Sequence, residues 1–171
     1  MAETKIYISD AVDAQLREVA MKRFGYGRGS ISRAVETAIV QWLSRESAVK
    51  EAMEVVIDKA ERDRNIIAVL LFGSYARKDS TFEDVDVALI LKDTDKTDIF
   101  AYSRAIEDLG IAHKISIDFA ELNRMPIAMQ SDILDEASVL YMRNKDELYD
   151  YCLKIMKESG DARYIRTILS S

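Results

Sequence analysis

Two apolar runs bracket the most constraining stretch of this chain. Residues 66–72 read Ile-Ile-Ala-Val-Leu-Leu-Phe and residues 85–91 read Val-Asp-Val-Ala-Leu-Ile-Leu. Gly73, Ser74, Tyr75, Ala76, Arg77 and Lys78 leave the first run, and Asp84 opens the second. Short apolar runs rich in branched residues and bounded by turn signals read as buried strands. A glycine turn leaving one strand therefore faces an Asp-x-Asp pair opening the next. Side chains two apart in a strand share a face. Asp84 and Asp86 point one way, while Val85, Val87 and Leu89 turn to a core. Two carboxylates held that close repel unless a cation lies between them. Mg²⁺ takes hard oxygen ligands and keeps phosphates and waters in its shell. Gly73 lets backbone approach a ligand closely, and Ser74 can cap the following turn, whose free N–H groups suit phosphate. Standing alone, such a pair would read as a strand cap and a solvated carboxylate; the Gly-Ser turn between two strands favours metal and phosphate.

A two-metal site needs a third carboxylate, and Asp118 is the candidate. Ile115, Ile117 and Phe119 alternate with Ser116 and Asp118, which predicts a half-buried strand with a carboxylate on its other face. Alone, Asp118 reads as an edge-strand charge. Beside an Asp-x-Asp strand it reads as a metal ligand, because two ions bridged by such a triad can activate a hydroxyl and stabilise a leaving pyrophosphate.

Gly73-Ser74, Tyr75-Ala76-Arg77, Asp84-Val85-Asp86 and Asp118 together resemble the minimal nucleotidyltransferase (MNT) family of the polymerase-beta superfamily. Leu122, Asn123 and Pro126 resemble that family's Leu-Asn-x-x-Pro turn, and Val139-Leu140-Tyr141 followed by a charged helix is similar to its C-terminal region. The likeness covers roughly residues 50–171. It implies an α/β (α+β) fold, a small polymerase-beta-like sheet with flanking helices. It also implies a nucleoside triphosphate substrate, usually ATP, with Mg²⁺, and transfer of the nucleotidyl group to a hydroxyl. Many family members are partners of HEPN ribonuclease toxins and adenylylate them. Where the family commonly has Ser before Asp-x-Asp, this chain has Glu83.

The N-terminal segment carries a separate signal. Residues 5–9, Lys-Ile-Tyr-Ile-Ser, alternate as a short strand. Asp10 then caps an amphipathic helix with Val12, Leu16, Val19, Ala20 and Phe24 at helical spacing. The glycine-rich turn at 25–29 stops it. A second helix starts at Ser30 or Ser32 with Ile31, Val35, Ala38, Ile39, Trp42 and Leu43 on one face. One strand and two helices in so short a span cannot bury a core alone, and a lone strand leaves both edges unpaired. Pairing of two strands in a homodimer solves both problems. Residues 3–46 resemble the ribbon–helix–helix family of DNA-binding proteins, whose paired ribbon enters the major groove. That likeness implies base contacts from Lys5 and Tyr7, phosphate contacts from Ser30 to Arg33 at the second helix start, and operator DNA as partner. Plain dimerisation is the alternative. Residues 1–47 hold seven Lys and Arg against six Asp and Glu, a net +1, which leaves −7 on the rest of a chain of net charge −6.

That acidic total argues against general coating of nucleic acid, since phosphate repels it, but not against a local contact. Cys152 is the single cysteine, so no internal disulfide is available and a reducing, cytoplasmic setting fits. It reads as a buried structural thiol. His113, the single histidine, reads as a surface residue in a loop. The charged first residues lack the apolar core of a signal peptide, and no apolar run is long enough for a membrane span. The chain holds one proline and six glycines, with neither between Ser30 and Phe72. The second helix is therefore expected to run almost directly into another at 49–62. Further helices are expected at 99–109, ended by Gly110, at 127–137 and around 148–156, alternating with strands at 66–72, 85–91 and 115–120.

The sequence thus predicts a ribbon–helix–helix-like domain at 1–47 and a minimal nucleotidyltransferase domain at 48–171. Asp84 and Asp86 are expected to hold Mg²⁺, Asp118 to complete the second metal site, and Gly73 and Ser74 to hold the triphosphate. Arg77 or Lys78 is the candidate to neutralise it, Arg77 being equally readable as a surface helix residue. The acceptor is open: a protein tyrosine, an RNA end or a small molecule. The rival reading is a DNA-binding regulator whose nucleotidyltransferase domain binds nucleotide or a toxin without catalysis.

Overall fold

The computed structural model describes residues 5–78 and 84–160. It divides into two compact units, Met1–Glu46 and Ser47–Ser171.

In the first unit, residues 5–9 lie outside any strand pairing among the described residues. Helix α1 follows at Asp10–Phe24. Ser9, not Asp10, is its cap, its hydroxyl accepting the Val12 N–H at 3.4 Å. Asp10 falls instead in the first turn with Asp13, where a negative charge suits the helix dipole. Gly25, at φ +82°, ends the helix. Helix α2 begins at Ser30 and continues to Arg62. Where the sequence suggested two helices in close succession, there is one, because nothing between Ser30 and Arg62 breaks the backbone ladder.

The second unit is built on a four-stranded sheet of order β3-β2-β1-β4. Its strands are β1 (Ile66–Phe72), β2 (Asp84–Leu91), β3 (Ser116–Glu121) and β4 (Ser138–Met142). β1 is antiparallel to both β2 and β4, and β2 is parallel to β3. Ile66, Val69, Val85, Val87 and Leu89 turn to one face, under the Ala48–Ala60 part of α2 and helix α4 (Phe100–Ala105). Ile67, Ala68, Leu70, Ala88 and Ile90 turn to the other, under helices α6 (Ile127–Glu136) and α7 (Lys145–Ser159). With both faces covered, β2 reads as an almost continuous apolar run. The register shift after Ile66 lets Ile67 and Ala68 share one face.

Side chains seal the far ends of the strands. Asn123 bonds both backbone groups of Leu91, accepting its N–H at 2.8 Å and donating to its carbonyl at 3.0 Å. That is the physical content of the Leu-Asn-x-x-Pro turn. The Arg143 guanidinium donates to the carbonyls of Ala60, Glu61, Asp63 and Ile66 at 2.8–3.0 Å. It closes the end of α2, where carbonyls have no helical partner.

Three sequence expectations change. The single helix at 99–109 is two, α4 and α5 (Glu107–His113), broken at Ile106, and Gly110 lies inside the second. His113 is the last residue of that helix and exposed. Residues 138–142 form a fourth strand. Cys152 is buried, which pushes its thiol up to about 12. No helix among the described residues is long and apolar enough to cross a membrane.

Candidate active site

The site forms where β1 ends and β2 begins. Phe72 pairs with Asp86 across the antiparallel ladder, so the residue after Phe72 must turn beside that carboxylate. Gly73 does so at φ +74°, and a Cβ there would lie 2.0 Å from Asp86 Oδ2. Only glycine fits, for its backbone angle and for its missing side chain. Helix α3 (Gly73–Ala76) follows at once. Ser74 lies inside this single turn; Phe72 occupies the cap position and offers no side-chain acceptor. The N–H groups of Arg77 and Lys78 are spent within the turn, on the carbonyls of Gly73 and Tyr75. Lys78 adopts φ +60°, and Glu83, beyond it, lies outside the described residues.

The parallel ladder brings in the third carboxylate. Asp118 on β3 pairs in register with Asp86 on β2, and Ser116 with Asp84. Asp84, Asp86 and Asp118 each offer an oxygen within 4.8 Å of the others'. Asp84 and Asp86 are half-buried and Asp118 is exposed, at the open edge of the sheet. Burial raises the Asp86 pKa above the usual carboxylate range; Asp84, Asp118 and Glu136 add to the rise and Arg77 opposes it. This hard-oxygen donor set, with Asp86 holding its proton unusually well because it is buried beside two like charges, fits a divalent cation such as Mg²⁺.

One further residue was not foreseen. Glu136, the last residue of α6, accepts the Gly73 N–H at 3.3 Å and the Arg77 guanidinium at 2.8 Å. Its place 63 residues from Gly73 left no local signal. Gly73, Arg77 and the three aspartates thus gather at one end of the sheet.

Of the N-terminal candidates, Lys5, Tyr7 and Arg33 are exposed. The Lys5 ammonium lies 5.0 Å from the Tyr7 ring centre, and Arg33 stacks over Phe24 at 5.0 Å. Ser30 is buried, its hydroxyl 2.5 and 2.8 Å from the Gly25 and Gly27 carbonyls, so it shapes the turn from within. Ala20 and Ser30 are the buried members among described residues 5–46.

A mixed sheet carrying clustered carboxylates beside a glycine turn defines an α/β domain of the nucleotidyltransferase type. The family model described as "Polymerase beta, Nucleotidyltransferase" matches residues 54–146, more than half of the chain. The chain belongs to this nucleotidyltransferase family. Among solved structures, a variant of the toxin–antitoxin MntA–HpeT is 16% identical at TM-score 0.50, over 65% of this chain and 85% of that one. A chain of the tri-AMPylated Shewanella oneidensis HEPN toxin in complex with MNT antitoxin is 18% identical at TM-score 0.46, over 70% and 87%. A chain of a toxin–antitoxin with AMP-PNP is 17% identical at 0.48, over 67% and 86%. No curated protein matches the sequence.

Proposed function

We propose that the second unit transfers an adenylyl group from ATP to a hydroxyl acceptor, with Asp84, Asp86 and Asp118 holding Mg²⁺. The observation that carries this reading is the carboxylate cluster, with oxygens within 4.8 Å of one another, set against Gly73. The choice of ATP rests on the family resemblance. In the reaction the acceptor oxygen bonds to the α-phosphorus as the α–β bridge breaks. Pyrophosphate leaves with the bond's electron pair. Bound Mg²⁺ would supply charge neutralisation for the phosphates and for the developing alkoxide. Asp118 stands on the exposed edge strand, so it meets the acceptor and takes the hydroxyl proton. The N–H of Ser74, in the first turn of α3, has no helical acceptor and suits the phosphates. Arg77 and Lys78 add positive charge beside them.

The acceptor in this reading is a partner protein of the HEPN type, and the setting is the cytoplasm, as the resemblance to minimal nucleotidyltransferases implies. Labelled ATP, Mg²⁺ and a cell lysate test it. Label on a protein, lost with Asp86→Asn, supports the reading. Label on RNA would replace the acceptor class. No label, together with no ATP binding, would refute the enzyme.

For the first unit the proposal is a homodimer that pairs two copies of residues 5–9 and binds operator DNA. Ile6, Ile8, Val12, Val19 and Trp42 are each 45–58% exposed, apolar surface that a second copy would cover. Lys5 and Tyr7 would then face bases, with Arg33 and the Ser30 turn at phosphate. Gel shifts with the upstream genomic region decide it. A salt-sensitive shift weakened by Arg33→Ala supports DNA contact. No retardation at low salt by a dimeric sample leaves a dimerisation module.

A further inference from the structure

Resting on the nucleotide reading above, we infer that Glu136 is a positioning residue that clamps the phosphate-facing turn to the metal-binding carboxylates. Its two oxygens take opposite ends of α3. Oε1 accepts the Gly73 N–H at 3.3 Å, where the turn begins, and Oε2 accepts Arg77 Nη1 at 2.8 Å, where it ends. Gly73 is also the point of contact with Asp86, since even a Cβ would overlap that carboxylate at 2.0 Å. One side chain therefore fixes the turn against the ligand it must work with.

The clamp stands on a firm base. Ile133 and Leu134 of α6 are buried in the second core. Gln130, buried beside them, donates to the Met125 carbonyl at 2.6 Å and accepts the Tyr151 hydroxyl at 2.6 Å. A helix held at both its flank and its start gives Glu136 a fixed origin, which is what a supporting residue needs to hold a site to sub-ångström tolerance.

The experiment compares wild type, Glu136→Ala and Glu136→Gln for binding of Mg²⁺·AMP-PNP by calorimetry and of Mn²⁺ alone by electron paramagnetic resonance, with thermal melts as the check on folding. Glu136→Ala, which removes both hydrogen bonds, is expected to weaken AMP-PNP at least about tenfold, the order of one charged hydrogen bond, while Mn²⁺ binding changes less than about twofold. Glu136→Gln, which keeps an acceptor oxygen, is expected to recover part of the loss. Wild-type AMP-PNP affinity in Glu136→Ala would overturn the clamp. Tighter binding would overturn it too, by showing Glu136 to be a rival of phosphate for the same donors. Equal losses of Mn²⁺ and AMP-PNP, or no recovery in Glu136→Gln, would refute a positioning role. If wild type itself fails to bind AMP-PNP, the nucleotide reading fails first and takes this inference with it.

Discussion

Replacing Gly73 by Ala tests the geometry at its tightest point. Two costs add. A residue with a side chain at φ +74° pays roughly 1–2 kcal/mol for the left-handed backbone. The new Cβ would lie 2.0 Å from Asp86 Oδ2, well inside van der Waals contact, so the turn or the carboxylate must move by about 1 Å. A shift of that size at a reacting centre costs on the order of 100-fold in rate. Gly73→Ala is thus expected to melt a few degrees lower, to bind Mn²⁺ more weakly and to lose about two orders of magnitude in transfer. The second substitution Asp86→Ala separates the two costs. Within Gly73→Ala it removes the clashing oxygen but leaves the backbone penalty, so it recovers part of the melting temperature and none of the transfer. The measurements are thermal melts, Mn²⁺ titration and label transfer. Wild-type melting and Mn²⁺ affinity in Gly73→Ala would refute the argument, because no relaxed Ala can occupy that position.

Asp86→Asn should stabilise the metal-free protein near neutral pH. The folded-state pKa of Asp86 is raised by burial, then by Asp84 and Asp118. The native state therefore holds its proton more tightly than the unfolded chain, and stability falls as pH rises above the ordinary carboxylate value of about 4. Melting temperature against pH should flatten in the variant, and an unchanged slope would disprove the coupling. Asp118→Asn should cost transfer rate more than ATP affinity, and equal activity would place Asp118 outside the chemistry. Asn123→Ala should lose about 1–3 kcal/mol by stranding both backbone groups of Leu91; chemical denaturation measures it, and a change below about 0.5 kcal/mol would show that water replaces the amide. Ile6→Asp should dissociate the proposed dimer by charging its shared surface, and sedimentation at micromolar concentration decides this, a monomeric wild type sinking the proposal.

Much of the second unit was legible because its signals are local. The strands at 66–72 and 85–91 are compact apolar runs, and β3 shows plain alternation around Ser116 and Asp118. β4 was harder to read. All its residues after Ser138 are half-buried, and it pairs only with β1, so no alternation stands out. The break at Ile106 leaves no mark either, because its neighbours suit a helix and Gly110 is tolerated within one. At the site, residue type and spacing announced the aspartates and the glycine. They could not announce Glu136, whose contacts form only when α6 packs. Nor could they show that Ser74 falls inside α3, a matter of two residues in where the helix starts. Residues 5–9 mark another boundary of sequence reading: a strand that would pair with a second copy leaves no ladder within one chain.

The scarcity of core in the first unit has a consequence for abundance. Ala20 and Ser30 alone are buried among described residues 5–46, while the second unit carries two buried clusters of its own. On the proposed pairing, order in the first unit becomes a bimolecular quantity and rises with protomer concentration. The second unit, with its own buried clusters, would not depend on that pairing. Operator occupancy would therefore switch on above a threshold of protein, whereas transfer would scale with protein from the first molecule. Proteases meeting the chain at low concentration would trim the N-terminal residues and spare the sheet. A cell could in this way hold transfer and autoregulation under separate control with one polypeptide.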